Sequence, residues 1–215
     1  MQCLKSSVLA FAATASLSAQ AALLTVDGGM MAPVPSNNAF VTGSYNLGGN
    51  VSLTEEAHLT FTFLEAEAGY WNTFTAYSSV LGNKVNAKGD SFTVNNVLAG
   101  LLDFSFSTNG SWTSPAPGSD AGSVTNGANV VDILGNVHSF ATLLNYTYKG
   151  VFYDALLVFD DTGPGRLVDG VWNPVDDDNH DDLVIGLNVV AVPAPAAMLL
   201  MGLGLIGLGA SRRRN

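Results

Sequence analysis

Residues 58–64 read HLTFTFL, and this stretch decides the fold that we predict for the chain. Leu59, Phe61 and Phe63 alternate with Thr60 and Thr62, which is the period of two expected of a half-buried strand. The same alternation recurs further along the chain, in SFTVNNV and in LLDFSFSTNGSW. No stretch of comparable length shows the spacing of an amphipathic helix before the C-terminal tail, so the pattern predicts strands throughout.

Turn signals separate these segments at short intervals. Asn109-Gly110 is typical of a two-residue hairpin turn, because Asn and Gly tolerate the positive φ that such turns need. Lys149-Gly150 is predicted to join two further strands, and Asp182–Val190 reads as a last strand that is apolar enough to be central. Short strands with frequent turns predict an all-β body, residues 22–190, built as an antiparallel β-sandwich or jelly roll.

The charge of this body is strongly negative. It carries all 18 acidic residues of the chain and four cations, so its formal charge is −14. Such a body is repelled by phosphate backbones, so nucleic acid is a poor candidate partner and we expect none. The same charge favours solubility outside a cell and attracts cations.

The first residues, MQCLKSSVLAFAATASLSAQAALL, predict a signal peptide over residues 1–21. Lys5 supplies a positive start, a short apolar stretch follows, and Ala19 and Ala21 form the small-x-small pattern that signal peptidase accepts. We expect the export machinery to take the chain across the inner membrane and cleavage to follow Ala21. The only cysteine, Cys3, would leave with this segment, so the mature body is expected to hold no disulfide.

The last 24 residues, VPAPAAMLLMGLGLIGLGASRRRN, have three parts. A proline-containing stem comes first, residues 192–195, in which the two prolines disfavour helix. An apolar segment of 15 residues follows, 196–210, and as a helix it would span about 22 Å, short of the ~30 Å hydrocarbon core. Three arginines close the chain and hold that end on the cytoplasmic side: Arg212, Arg213 and Arg214.

This tail resembles the PEP-CTERM class of bacterial sorting signals. The resemblance rests on the motif Val192-Pro193-Ala194-Pro195, the Gly/Leu-rich apolar helix and the arginine cluster, within a sorting segment of residues 191–215. Ala194 stands where the common form of the motif has a glutamate, which leaves the particular processing enzyme open.

The resemblance has implications for how the protein is processed and for where it is located. It implies recognition by an exosortase, cleavage near the proline motif after a transient membrane-anchored stage, and a Gram-negative host that makes an exopolysaccharide. The expected destination is the cell surface or extracellular matrix. A permanent single-span anchor is the alternative reading of the same tail.

One part of the body concentrates acidic side chains, between Asp154 and Asp182, where nine aspartates stand with one arginine. Carboxylates at this density repel one another unless a cation lies between them, and calcium accepts six to eight oxygen ligands with loose geometry. The candidate calcium ligands are Asp160, Asp161, Asp176, Asp178, Asp181 and Asp182. A solvated acidic loop is the alternative, and His180 inside it is expected to face solvent.

No catalytic residues are predicted. The chain has no nucleophile or zinc motif, and Glu65 and Glu67 are expected to share a solvated strand face. The leading hypothesis is therefore a non-enzymatic exported protein of the cell surface. A calcium- or carbohydrate-binding module is the alternative, the latter because tryptophans such as Trp71 can stack on sugar rings, and a secreted hydrolase ranks behind both.

Overall fold

The computed structural model describes residues 23–109, 120–131, 137–161, 166–168, 171–173, 179–192 and 202–203. In chain order the strands of the described residues are β1 (Leu24–Asp27), β2 (Met30–Pro33), β3 (Ser44–Leu47), β4 (Asn50–Leu53), β5 (Ala57–Glu65), β6 (Trp71–Ala76), β7 (Ser79–Gly82), β8 (Ser91–Val97), β9 (Gly100–Leu101), β10 (Phe104–Asn109), β11 (Asp120–Thr125), β12 (Ser139–Tyr148), β13 (Val151–Asp160), β14 (Arg166–Val168), β15 (Val171–Asn173) and β16 (Leu183–Ala191). Within these ranges, helical backbone is confined to residues 202–203.

Every strand pair of the described residues is antiparallel, so the predicted all-β fold with antiparallel sheets is confirmed. The largest sheet has seven strands in the order β2-β3-β12-β13-β16-β5-β8. The last strand, β16, lies between β13 and β5 and is buried over most of its length, which confirms the prediction that it is central. The alternation predicted for residues 58–64 is also confirmed, because Leu59, Phe61 and Phe63 are buried while Thr60 and Thr62 are only partly so.

One face of the seven-stranded sheet, which we call the Phe face, is covered by a second sheet in the order β11-β10-β6-β7. Phe106 of β10 stacks on Phe159 of β13 with ring centroids 4.9 Å apart, and Phe74 of β6 meets Phe61 of β5 at 5.1 Å. Strands β1 and β4, from a small third sheet, add apolar residues to the same core. Burial of each phenylalanine side chain stabilises the fold by about 1.5–3 kcal/mol relative to leaving it in water. This sandwich-like packing therefore forms the main core.

The opposite face of the seven-stranded sheet, the Tyr face, is covered by chain segments instead of a sheet. It carries a second buried cluster that includes Tyr45, Tyr148 and Tyr153. The β12–β13 hairpin turns at Lys149 and Gly150, both with positive φ (47° and 84°), which confirms the predicted turn.

The tip of this hairpin bends across the Tyr face. Asn145 has a φ of 52°, and the pairing of β13 with β16 ends at Ala155. Beyond that point the ring of Tyr153 lies over Gly186, where a Cβ would come within 2.5 Å of the ring. The Asn188 side chain donates to the Phe152 carbonyl at 3.1 Å. A side-chain hydrogen bond therefore takes the place of the backbone pairing between β13 and β16 in this region.

The predicted turn at Asn109-Gly110 is wrong as a two-residue hairpin. Asn109 is the last residue of β10 and pairs with Trp71 in β6, and its partner in β11 is Asp120. The connection from β10 to β11 therefore takes ten residues, 110–119, which lie outside the described part of the chain. The local propensity of Asn and Gly for a turn was overruled by the pairing of Asn109 within the four-stranded sheet.

Candidate functional site

The two described flanks of the acidic segment meet at one end of the seven-stranded sheet, which we call the acidic end. Asp160 is the last residue of β13 and Asp161 follows it, while Asp181 and Asp182 immediately precede β16. These neighbouring antiparallel strands bring the end of one beside the start of the other. The Asp182 amide donates to the Phe159 carbonyl at 3.1 Å and extends the ladder by one step.

Neutral N–H groups stabilise the carboxylates of the acidic end. Asp161 accepts a hydrogen bond from the Asn72 side chain at 2.7 Å, and Asp182 accepts one from the Asp161 amide at 2.8 Å. Asp181 accepts one from the Ala39 amide at 2.7 Å, which ties the loop before β3 to the start of β16. Hydrogen bonds of this kind to a carboxylate are strong and fix its orientation. The described flank is thus a structured turn in which Asp161 and Asp181 are buried.

His180 lies inside this turn and has no exposed surface, so the expectation that it faces solvent is wrong. Its backbone adopts a left-handed φ of 57°. Nε2 lies 3.0 Å from the Ser139 hydroxyl, and Nδ1 lies 3.8 Å from Oδ2 of Asp160. The burial follows from contacts distant in sequence, including the ring of Tyr45 at 5.4 Å, which no local pattern reveals.

Ser139, His180 and Asp160 are the residue types of a nucleophilic triad, but their burial argues for a structural role. None of the three is more than 2% exposed, so the serine oxygen offers no surface to a substrate in this structure. The distance between His180 and Asp160 is longer than a hydrogen bond. A catalytic serine has to reach a bound carbonyl, so this arrangement does not support acyl transfer.

The calcium hypothesis remains a prediction. Asp176 and Asp178 lie outside the described residues, and so does the segment that would complete a site with Asp160, Asp161, Asp181 and Asp182. Over the described ranges, no group of three acidic, histidine or cysteine side chains is placed to hold a metal ion. What the structure contributes is the convergence of the four flanking aspartates at one end of the sheet.

A second polar cluster, formed by Glu65, Lys88 and Lys149, was not predicted from the sequence. Glu65, the last residue of β5, is only 5% exposed and accepts hydrogen bonds from Lys88 and from Lys149, the latter at 2.5 Å. Glu67 lies beyond the strand and is exposed, so the expectation of a shared solvated face is wrong. No sequence signal pairs these groups, because Lys149 is 84 residues from Glu65.

The two lysines set the ionisation of Glu65. Burial by itself raises the pKa of Glu65, but the hydrogen bonds and charges of Lys149 and Lys88 outweigh burial and hold the pKa below its ordinary value. The hydrogen bond with Glu65 in turn raises the pKa of Lys149. The ammonium group of Lys149 also lies 5.0 Å from the centre of the Tyr148 ring. This cluster therefore fastens the hairpin tip to the edge of the Tyr face.

The other end of β16 is the start of the predicted sorting segment. β16 ends at Ala191, and the amide of Val192 still donates to the carbonyl of Glu56 at 2.9 Å. In the part of the chain that the structure covers, no helix combines the length and apolar character needed to cross a membrane. Several predicted residues lie outside the described ranges, namely Ala19, Ala21, Pro193, Ala194, Pro195, Arg212, Arg213 and Arg214.

The central last strand of the all-β body leads directly into the proline-containing, apolar and basic tail. The family model of the PEP-CTERM protein-sorting motif matches residues 191–214, so the chain carries this motif and the predicted resemblance is confirmed. The motif indicates export, recognition by an exosortase-type enzyme and membrane-associated sorting toward the cell surface. Comparison with curated proteins and with solved structures finds no match to the chain.

Proposed function

We propose that this chain is a non-enzymatic β-sandwich protein of the cell surface or extracellular matrix of a Gram-negative bacterium. In this proposal a signal peptide, residues 1–21, directs export, and the C-terminal segment holds the body at the membrane until an exosortase-type enzyme releases it. The observation that carries the proposal is the match of the PEP-CTERM motif to residues 191–214. The motif begins at the last residue of the final strand.

The junction between body and tail supports processing at the proline motif. β16 is a central strand, and every one of its residues lies before Val192. A cut at or after Pro193 removes no strand from the seven-stranded sheet and leaves the Val192 hydrogen bond in place. Release from the membrane would therefore leave the body folded, which a functional surface protein requires.

The buried Ser139–His180–Asp160 group and the acidic charge support a structural role for the body. A hydrolase requires a nucleophile or a pair of carboxylates open to a substrate. An exported body of charge −14 repels copies of itself and stays soluble, and it accommodates cations that bridge it to other anionic polymers. We include an exopolysaccharide among its expected partners on this ground.

The test is deletion of residues 193–215 in the native host, compared with a chain in which the same residues are scrambled in order. Both variants keep the whole described body. We expect either change to abolish surface delivery, with the deleted chain secreted freely and the scrambled chain left unprocessed. Mass spectrometry of the mature protein should find a new N-terminus after Ala21 and a C-terminus near Pro193–Pro195. Unchanged localisation and an intact C-terminus in the surface fraction would contradict the proposal.

Calcium binding is the second candidate function, favoured by the convergence of Asp160, Asp161, Asp181 and Asp182 at the acidic end. Calorimetric titration of the detergent-solubilised full chain with calcium should release or absorb heat, and Asp176→Asn with Asp178→Asn should remove that heat. Asp27→Asn is the matched control, because Asp27 is exposed at the end of β1 and distant in sequence from the acidic segment. Absence of heat in the unmutated chain would reject the metal.

A further inference from the structure

The strands β16, β5 and β8 share one end, which we call the junction end because the sorting tail leaves from it. Ala191 pairs with Ala57, and Ala57 pairs with Val97, so the last residue of β16 and of β8 flank the first of β5. The hydrogen bond from the Val192 amide to Glu56 holds the chain to this end up to the last residue before the first proline of the motif.

Two large apolar side chains are exposed at the junction end. Leu98, directly after β8, is 73% exposed, and Val190, the second-last residue of β16, is 62% exposed. The neighbouring Glu55 and Glu56 are exposed as well, so the end combines apolar and acidic side chains. Removing an exposed leucine and a valine from water is favourable, because apolar surface leaves the solvent.

The length of the connector limits how far this end can lie from the membrane. Only residues 193–195 separate Val192 from the apolar segment that begins at residue 196. Fully extended, three residues reach about 10 Å. The headgroup layer of one leaflet takes up roughly 5–7 Å of that distance, since a bilayer is ~40–45 Å thick and its hydrocarbon core ~30 Å.

We propose that the junction end docks on the lipid surface while the tail is inserted, with Leu98 and Val190 as the contacting side chains. This inference rests on the proposed function, since it requires the tail to hold the body at a membrane. The remaining reach of the connector places these side chains at the headgroup level. Glu55 and Glu56 are repelled by anionic lipid, so the surface that fits is zwitterionic. The acidic end would then point away from the membrane, toward the matrix.

The probe is the full chain in phosphatidylcholine vesicles with brominated acyl chains, which quench a nearby fluorophore. Cys3→Ser removes the only native thiol, and Leu98→Cys or Val190→Cys carries a polarity-sensitive label. The matched control is Val85→Cys, because Val85 is 62% exposed, as Val190 is. Val85 lies two residues after Asn83, whose backbone amide donates a hydrogen bond to the Asn72 carbonyl. The Asn72 side chain in turn donates to Asp161 at the acidic end. Val85 is therefore about one strand length, ~25 Å, from the junction end.

We expect quenching at residues 98 and 190 to exceed that at Val85 by about twofold or more, because an apolar contact draws the label toward the acyl chains. Equal quenching at the three positions would overturn the docking. Flotation of the chain with the vesicles, compared with a chain that lacks residues 193–215, reports the tail separately. A chain that floats without selective quenching leaves the sorting proposal intact and rejects the docking, and a chain that does not float rejects both.

A second variant separates real contact from mere tethering. With the label at Thr54→Cys, an exposed position next to Glu55, Leu98→Ser combined with Val190→Ser should lower the quenching by about half. Unchanged quenching at residue 54 would mean that the short connector alone holds the end near the lipid, and it would overturn the assignment of Leu98 and Val190 as contacts.

Discussion

The Phe face and the Tyr face of the seven-stranded sheet are both buried, but they are covered by different structures and stabilised by different interactions. A second sheet covers the Phe face, and phenylalanine rings such as Phe106 and Phe159 stack across the interface. The Tyr face is covered by chain segments that include a bent hairpin tip, and the Glu65–Lys149 ion pair and the Tyr153–Gly186 contact hold that tip in place. Packing on the Phe face is stabilised mainly by buried apolar area, and packing on the Tyr face by a few specific contacts. The two faces should therefore respond differently to mutation.

The largest effect is expected on the Phe face. Phe106→Ala should lower the free energy of unfolding by about 3–5 kcal/mol, because it removes a ring with no exposed surface that also contacts Phe74 and Phe140. Urea unfolding measures this loss. Phe152→Ala is the control, since Phe152 is half exposed on the hairpin tip and should lose about 1 kcal/mol or less. Similar losses in the two variants would break the distinction between the faces.

A smaller effect is expected where the tip crosses the sheet. Gly186→Ala places a methyl group 2.5 Å from the Tyr153 ring and should destabilise the body by about 1–3 kcal/mol, since the ring has to move. In a Tyr153→Leu background the same change should cost less, and a double-mutant cycle measures the difference. An equal loss of unfolding free energy in both backgrounds would show that the Tyr153 ring is not what opposes the added methyl group.

Removing the charge of Glu65 should have a more modest effect that depends on pH. Glu65→Gln is expected to lower stability at pH 7 by on the order of 1 kcal/mol, since both ammonium groups are exposed and screened. The folded pKa of Glu65 lies below its ordinary value of 4.5, so its contribution is present above pH 4.5 and is lost as the pH falls through the folded pKa.

Urea unfolding at several pH values, from 7 downward, tests this dependence on Glu65. The gap between the unmutated chain and Glu65→Gln should close toward low pH. Glu67→Gln is the matched control, because Glu67 is exposed two residues further on and should change little at any pH. A gap that persists below the folded pKa would argue against the ion pair as its cause.

The smallest effect concerns one hydrogen bond at the edge of the hairpin. The Tyr146 hydroxyl accepts a bond from the Thr42 amide at 3.2 Å, and Tyr146→Phe should cost about 0.5 kcal/mol because the site is exposed to water. Amide hydrogen exchange at Thr42 is the sensitive measurement, and it should become faster. Unchanged exchange would mean that other contacts hold this loop against the hairpin.

Features that depend on neighbouring residues were predictable from the sequence. The alternation of residues 58–64, the turn at Lys149-Gly150 and the central position of the last strand follow from side-chain period, turn preference and continuous apolarity. The sorting motif was also readable, because its parts stand in one contiguous segment, residues 191–214. The turn at Asn109-Gly110 failed because a pairing across the sheet outweighed the local preference.

Only the tertiary structure decided which polar groups are buried and with whom. Glu65 meets Lys149 across 84 residues, and His180 meets Ser139 across 41, so neither pair leaves a trace in local spacing. Burial of such groups depends on how strands and loops from distant parts of the chain converge, and the low dielectric there makes each partner matter. The sequence by itself determined the strands and the sorting tail, since short-range sterics and hydrophobicity specify both. The tertiary structure decided the cover of the Tyr face and the surface from which the tail leaves.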